Sequence, residues 1–277
     1  MTDFEFDWQS EKKQTLRGKC WLPEEKPKAL LCLIHGFGEH INRYQHLAAY
    51  FGKQQIGLIG FDLIGHGKSD GKRGVVRNYE TFMQHISEFL LLVEAKFKDV
   101  PLFLYGHSMG GNLVATFSIN YQPKLQGIII TSPWIQLAKQ PPKIQVMMAE
   151  IIGSIFPNFT TPAKLNVADL SHDPTVGEKY LADPLVHNRM SGAMFVAIAD
   201  AGEKVLKSAS ELPTPLLLMH GSADGITSAT ASENMAKKNK EIDFVLWENL
   251  RHELHNEIEK EKVLGKILSW VEEKSKS

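Results

Sequence analysis

LFLYGHSMGG, residues 102–111, decides the fold. Its apolar start suits a strand buried on both faces, Gly106-His107-Ser108-Met109-Gly110 follows, and a helical pattern begins at once with Asn112-Leu113-Val114. Such a strand–turn–helix junction strains the backbone of its central residue, so the positions two before and two after it must lack a Cβ. Gly106 and Gly110 meet that requirement. The turn would present the Ser108 hydroxyl at the carboxyl end of a sheet, beside the unpaired N–H groups and positive dipole end of the next helix. Ser108 is the candidate nucleophile. The pentapeptide by itself is common, and its weight comes from the elements on either side of it.

Toward the amino terminus, ALLCLI at 29–34 is a continuous apolar run, predicted to be a buried parallel strand, and it ends in His35-Gly36-Phe37-Gly38-Glu39-His40. A strand followed by His-Gly-x-Gly matches the loop that supplies one oxyanion-hole N–H in serine hydrolases, the other coming from the residue after the nucleophile. Phe37 and Met109 are the predicted backbone donors. Found alone, the same loop would read as a glycine turn with a core histidine at His35. Ahead of it, the alternation in Phe4-Glu5-Phe6-Asp7-Trp8 and the strand-like 15–22 predict an antiparallel hairpin. Between the two glycine-flanked loops, Tyr44, Leu47, Ala48 and Phe51 form one helical stripe and Phe82, Ile86, Phe89, Leu90, Val93 and Phe97 another, with a short strand at 56–61.

Toward the carboxyl terminus, QGIIIT at 126–131 adds a strand, and the alternation of strand and helix from residue 29 predicts a mostly parallel, doubly wound α/β sheet. The alternation then stops. Residues 133–206 carry no strong strand and are predicted to be a helical cap inserted between two parts of one sheet domain, 1–132 and 207–277. Within it Ile144, Met147, Met148, Ile151, Ile152 and Ile155 recur at helical spacing. Packing against the sheet domain is the simpler expectation for that stripe, and contact with an acyl chain or a lipid surface the second.

A serine nucleophile needs a base within hydrogen-bond reach and a carboxylate to orient that base, in the chain order Ser, Asp or Glu, His. The strand at 215–219 runs into His220-Gly221-Ser222-Ala223-Asp224, and the strand at 242–247 into Glu248-Asn249-Leu250-Arg251-His252. Asp169, Asp173, Asp183 and Asp200 lie in the cap and Asp243 at the wrong end of its strand, which leaves Asp224 as the acid. Among eleven histidines the base is His252, ahead of His255. The His252-Glu253-Leu254-His255 spacing is one residue short of the HExxH zinc pattern, so no metal is expected.

Composition bounds the class. With 277 residues, 43% hydrophobic content and a formal charge of -1, the chain reads as an ordinary globular protein with no basic excess for nucleic acid. No run approaches the ~18 apolar residues of a membrane-spanning helix, and residues 1–10 lack a secretory pattern, so a cytoplasmic protein is expected, with the cap as its candidate peripheral membrane contact. Cys20 and Cys32 read as small buried hydrophobes.

Taken together, HGFGEHINRY, GFDLIGHGKSDGKRG, YGHSMGGNL, LMHGSADGITS and RHELH resemble the monoacylglycerol lipase and lysophospholipase branch of the α/β-hydrolases, from about residue 29 to the carboxyl terminus. The resemblance implies the same triad, Ser108, Asp224 and His252, and the same donors, Phe37 and Met109. It adds Glu39, Arg43 and His255 as a polar pocket for a glycerol alcohol, and Tyr180 as a cap tyrosine directed toward the ester. No cofactor is implied. The expected function is hydrolysis of a small-molecule lipid ester, monoacylglycerol first. A lysophospholipase or short-chain carboxylesterase is the alternative within the class, and a catalytically silent ligand receptor the alternative outside it. A peptidase would need an acidic pocket for the substrate amine, which the sequence does not display.

Overall fold

A computed structural model describes residues 1–213 and 215–276. The apolar runs become β3 (Ala29–Ile34), β4 (Ile56–Phe61), β5 (Leu102–His107), β6 (Gly127–Thr131) and β9 (Leu216–Gly221), every residue of them buried. With β1 (Thr2–Gln9), β2 (Thr15–Leu22) and β10 (Ile242–Trp247) they form one eight-stranded sheet in the order β1-β2-β4-β3-β5-β6-β9-β10. The β1–β2 and β2–β4 pairs are antiparallel and the rest parallel. The edge strands β1 and β10, and β2 beside β1, carry alternating or partial exposure, as an alternating or half-polar sequence requires.

Helices cover both faces. α1 (Gln45–Gly52) and α8 (Lys260–Lys274) bury Leu47, Phe51, Ile267 and Trp270 on one face. On the other lie α2 (Glu80–Lys96) and α3 (Met109–Tyr121), while α7 (Ala229–Lys238) packs beside β9 and β10. The predicted stripe of α2 is the buried one, with Phe89 set 4.9 Å from Phe61 and stacked on Trp8 at 6.3 Å. Central strands β3, β5 and β6 all deliver their carboxyl ends to one edge, where the two glycine-flanked loops meet.

Between β6 and β9 the chain leaves the sheet. This excursion contains α4 (Lys143–Ile155), β7 (Thr160–Pro162), α5 (Pro174–Ala182), β8 (Arg189–Ser191) and α6 (Gly192–Lys207). Two features differ from the sequence expectation. β7 and β8 pair as a three-residue antiparallel ribbon, too short to leave a periodic signal. The Met and Ile stripe of α4 does not pack on the sheet domain: Ile144, Met147, Met148, Ile151 and Ile155 are 47% to 62% exposed. α4 instead turns its small residues inward, with Ala149 and Gly153 against the Gly192-Ala193 start of α6. α6 in turn shares the main core through Met194, Ile198 and Val205. Among the described residues no helix is long and apolar enough to cross a membrane.

The aromatic contact under the amino-terminal hairpin supplies a stability test. Phe89→Ala should lower the unfolding free energy by about 3–5 kcal/mol, measured by urea denaturation; a loss under ~1 kcal/mol would mean that the hairpin does not depend on this contact.

Candidate active site

Ser108 stands between the last residue of β5 and the first of α3, with φ 55° and ψ -118°. The flanking glycines are needed for the reason the sequence gives: a Cβ on Gly106 would strike the carbonyl oxygen of Gly110, and one on Gly110 the carbonyl oxygen of Ile34. The hydroxyl is directed at His252, whose Nε2 lies 2.9 Å from Ser108 Oγ. His252 Nδ1 lies 2.7 Å from Asp224 Oδ2. Asp224 follows β9 and His252 follows β10, so three neighbouring parts of one sheet edge supply the three side chains.

Burial opposes ionisation of Asp224, but the adjoining imidazoles of His252 and His220 outweigh it and hold the carboxyl far below the usual carboxylate range. Burial likewise opposes protonation of His252; the Asp224 charge and hydrogen bond overcome it and raise the imidazole above its ordinary value. An imidazole so placed can take the Ser108 proton and remain stable as the cation.

Phe37 lies in the loop after β3 and Met109 opens α3, and among the described residues neither backbone N–H donates within the chain. His35 fixes the Phe37 loop. Its Nε2 accepts the Leu63 N–H at 2.9 Å and its Nδ1–H donates to Gly36 O at 2.8 Å, while burial lowers its pKa to about 3 and keeps it neutral. The core reading of His35 and the loop's place beside Ser108 are thus compatible. From the cap, the His187 N–H donates to Gly38 O at 2.9 Å.

Glu39 and Arg43 meet a residue that sequence reasoning passed over. Arg43 donates from Nη1 to Glu39 at 2.7 Å, and from both Nη atoms to Glu253 at 2.8 and 3.0 Å. Tyr44 Oη–H and the Gly36 N–H both donate to Glu39 Oε1, at 2.7 and 2.6 Å. Burial, helped by Glu253, pushes the Glu39 carboxyl up despite Arg43. Burial pushes Glu253 the same way, but its two-pronged bond to Arg43 prevails and holds it at about 2. The Tyr180 ring stacks on the guanidinium at 4.9 Å, and its buried hydroxyl has no hydrogen-bond partner among the described residues.

His255 is displaced from the predicted pocket. It lies in the 3-10 turn Leu254–Asn256, stacks on Tyr44 at 4.9 Å and abuts His107 at 4.8 Å, and does not line the cavity over Ser108. The turn rotates it behind the site, and Glu253 takes the lining position. The only advance signal was adjacency to His252. A carboxylate pair beside the nucleophile also qualifies the sequence expectation that no acidic pocket exists, although Arg43 occupies it.

A cavity of about 660 Å³ covers Ser108. Glu39, Arg43, Glu253 and Tyr180 form a polar part of its wall, and Trp134, Leu137, Val146, Met190 and Phe195 an apolar part. No cluster of His, Cys, Asp or Glu suited to a metal occurs among the described residues. Because the base must be neutral to act, kcat/KM for an ester should fall as pH drops, with a midpoint above the ~6.5 of an unperturbed imidazole. A pH–rate profile with its midpoint at or below that value would count against the Asp224–His252 electrostatics.

The sequence profile of the family described as serine aminopeptidase, S33 matches residues 25–259. An abhydrolase domain-containing protein of Dictyostelium discoideum is 35% identical over 268 residues, 95% of this chain but only 28% of that longer protein. The monoacylglycerol lipase of Mycolicibacterium smegmatis is 28% identical over 254 residues, 91% of this chain and 90% of its own. The crystal structure of Paleococcus ferrophilus monoacylglycerol lipase superposes with a TM-score of 0.83 at 28% identity, covering 99% of this chain and 100% of that one. With that profile matching well over half of the chain, the chain belongs to the serine aminopeptidase S33 family of α/β-hydrolases.

Proposed function

We propose that this protein is a serine ester hydrolase that cleaves monoacylglycerols to glycerol and fatty acid, with Ser108 as nucleophile, His252 as general base and acid, and Asp224 as the orienting carboxylate. The observation that carries the reading is the continuous Ser108–His252–Asp224 hydrogen-bonded line opening into a cavity with one polar and one apolar wall. The relatives named monoacylglycerol lipase, similar along nine-tenths of the chain or more, support it.

His252 Nε2 takes the Ser108 proton as Oγ attacks the ester carbonyl carbon. The resulting oxyanion is held by the Phe37 and Met109 N–H groups, each such donor contributing about 2.7–4 kcal/mol. Collapse breaks the bond to the glycerol oxygen, which leaves with the proton from His252 Nε2. Water then attacks the acyl-serine, giving a proton to His252, and the second tetrahedral intermediate releases fatty acid as Ser108 recovers its hydrogen.

The acyl chain lies along the wall formed by Trp134, Leu137, Val146 and Phe195, and the glycerol hydroxyls meet Glu39, Arg43, Glu253 and Tyr180. Two buried carboxylates against one guanidinium leave this end of the cavity no spare positive charge, while Lys139 and Lys164 line it elsewhere, so the Glu39–Arg43–Glu253 end suits a neutral glycerol better than a phosphodiester. Residues 133–206 act as the cap, and the outward face of α4 is where it meets a lipid surface, since an exposed apolar helix face in water is otherwise unfavourable.

Steady-state hydrolysis of 1-monoacylglycerols, lysophosphatidylcholines and p-nitrophenyl esters tests the reading. Monoacylglycerol should be turned over best, and Ser108→Ala should cut kcat on the order of 10⁴ to 10⁶-fold. Preference for lysophosphatidylcholine would overturn the head-group assignment, and absence of turnover would favour a ligand receptor. For the cap, Met148→Glu with Ile151→Glu should abolish co-sedimentation with phosphatidylcholine vesicles and leave hydrolysis of a soluble short ester unchanged; undiminished sedimentation would rule out α4 as the contact.

A further inference from the structure

Asp224 serves two histidines. Its Oδ1 accepts the Ile226 and Thr227 N–H groups at 2.7 and 2.9 Å. Its Oδ2 accepts the Thr227 hydroxyl at 2.8 Å and faces both His252 Nδ1 at 2.7 Å and His220 Nε2 at 3.1 Å. His220 comes from β9 and is fully buried. Its other nitrogen, Nδ1, lies 2.8 Å from Ser232 Oγ on α7.

The hydrogen positions follow from the partners. A lone pair on Nε2 would face the ionised carboxylate at hydrogen-bond distance, which is repulsive, so Nε2 carries the hydrogen and Nδ1 accepts from the Ser232 hydroxyl. Ser232, His220, Asp224, His252 and Ser108 then form one line of five groups, with a donor pointing at Asp224 from each side.

We propose that His220 is a positioning residue that acts through Asp224: its Nε2–H occupies part of the charge on the oxygen that His252 uses, and so sets the basicity of the catalytic base. This rests on the triad reading above. A hydrogen bond to a carboxylate disperses its charge, and on an oxygen shared by the Thr227 hydroxyl, His220 and His252 each donor weakens the others. With the His220 donor gone, the Oδ2 charge falls more fully on His252, the imidazolium is better stabilised, and the base keeps its proton to higher pH. The other titratable groups facing His252 and Asp224 are His107 from β5, Glu39 from the Phe37 loop, Asp169 from the cap, and Glu253 and His255 from the loop after β10. None of them touches His220 by hydrogen bond or ion pair among the described residues, so its replacement leaves their contacts in place.

The experiment is the pH dependence of kcat/KM on a p-nitrophenyl ester, a substrate independent of the head-group assignment. It compares wild type, His220→Phe, His220→Gln, Ser232→Ala and Ser108→Ala. His220→Phe should move the acid-limb midpoint up by about one pH unit. His220→Gln, whose amide N–H reaches the same place, should restore it. Ser232→Ala, which releases the tautomer, should move it the same way by less. An unmoved midpoint in His220→Phe beside a lowered melting temperature would make His220 a packing residue and overturn the proposal. Should His220→Phe fail to fold, an unmoved midpoint in Ser232→Ala overturns it equally. Wild-type rates in Ser108→Ala would instead overturn the triad itself.

Discussion

The chemistry of this molecule hangs from one backbone conformation, the left-handed φ of 55° at Ser108. A residue held there costs of order 1–3 kcal/mol, and it persists only where the surroundings over-determine it. Here three backbone bonds do so: the Ser108 N–H donates to Thr131 O at 3.0 Å, and Ser108 O accepts from the Asn112 and Trp134 N–H groups at 3.1 and 2.9 Å. β5 lies in the middle of the sheet, paired with β3 and β6, so the strain is anchored in the most buried part of the fold. The same crowding that forbids a Cβ at Gly110 brings the start of α3 against the end of β3. That contact sets Met109 and Phe37 on one side of the serine.

The excursion between β6 and β9 is tied to this frame unequally. His252 and Glu253 donate their backbone N–H groups to Asp169 O and Leu170 O at 3.3 and 2.8 Å, and Arg251 donates to Ala168 O and Ser171 O at 2.7 and 3.1 Å. The loop that carries the base is therefore held by the cap segment around 168–171. Tyr180 on Arg43, and Asp183 at 2.8 Å from His40, add side-chain ties from α5. Movement of residues 168–183 away from the sheet as one body would break all of these ties. α4 has no such bonds to the base loop among the described residues, and its outer face is exposed.

The sheet and the positions of Ser108, Asp224 and His252 were legible in the sequence because each depends on a short local pattern: an apolar run, a glycine that cannot carry a Cβ, a polar residue just past a strand. What was not legible depends on direction. Periodicity says that Met147, Met148 and Ile151 share a face of α4; it does not say whether that face meets protein or water, which Ala149 and Gly153 decide by their close approach to α6. Glu253 and His255 are two residues apart in RHELH, and only the 3-10 turn at Leu254–Asn256 determines which of them lines the cavity. His220, four residues ahead of Asp224, carried no pattern of its own, since its bond to the carboxylate arises from the return of the chain after β9.

Buried charges of both signs gather around Ser108 and His252. Asp224, Glu253 and Glu39 favour the cation on His252, and Arg43 pairs with both glutamates. Beside Ser108 lie the N–H groups of Phe37 and Met109 and the positive end of α3. In the proposed reaction positive charge grows on the imidazole and negative charge on the carbonyl oxygen, and each develops beside groups of the opposite sign already in place. The surrounding imidazoles respect that polarity. Burial lowers His107 to about 3 and His255 well below its ordinary value. Both rings therefore pack against the base-bearing loop as neutral groups, and neither sets a competing cation beside the one that His252 must become.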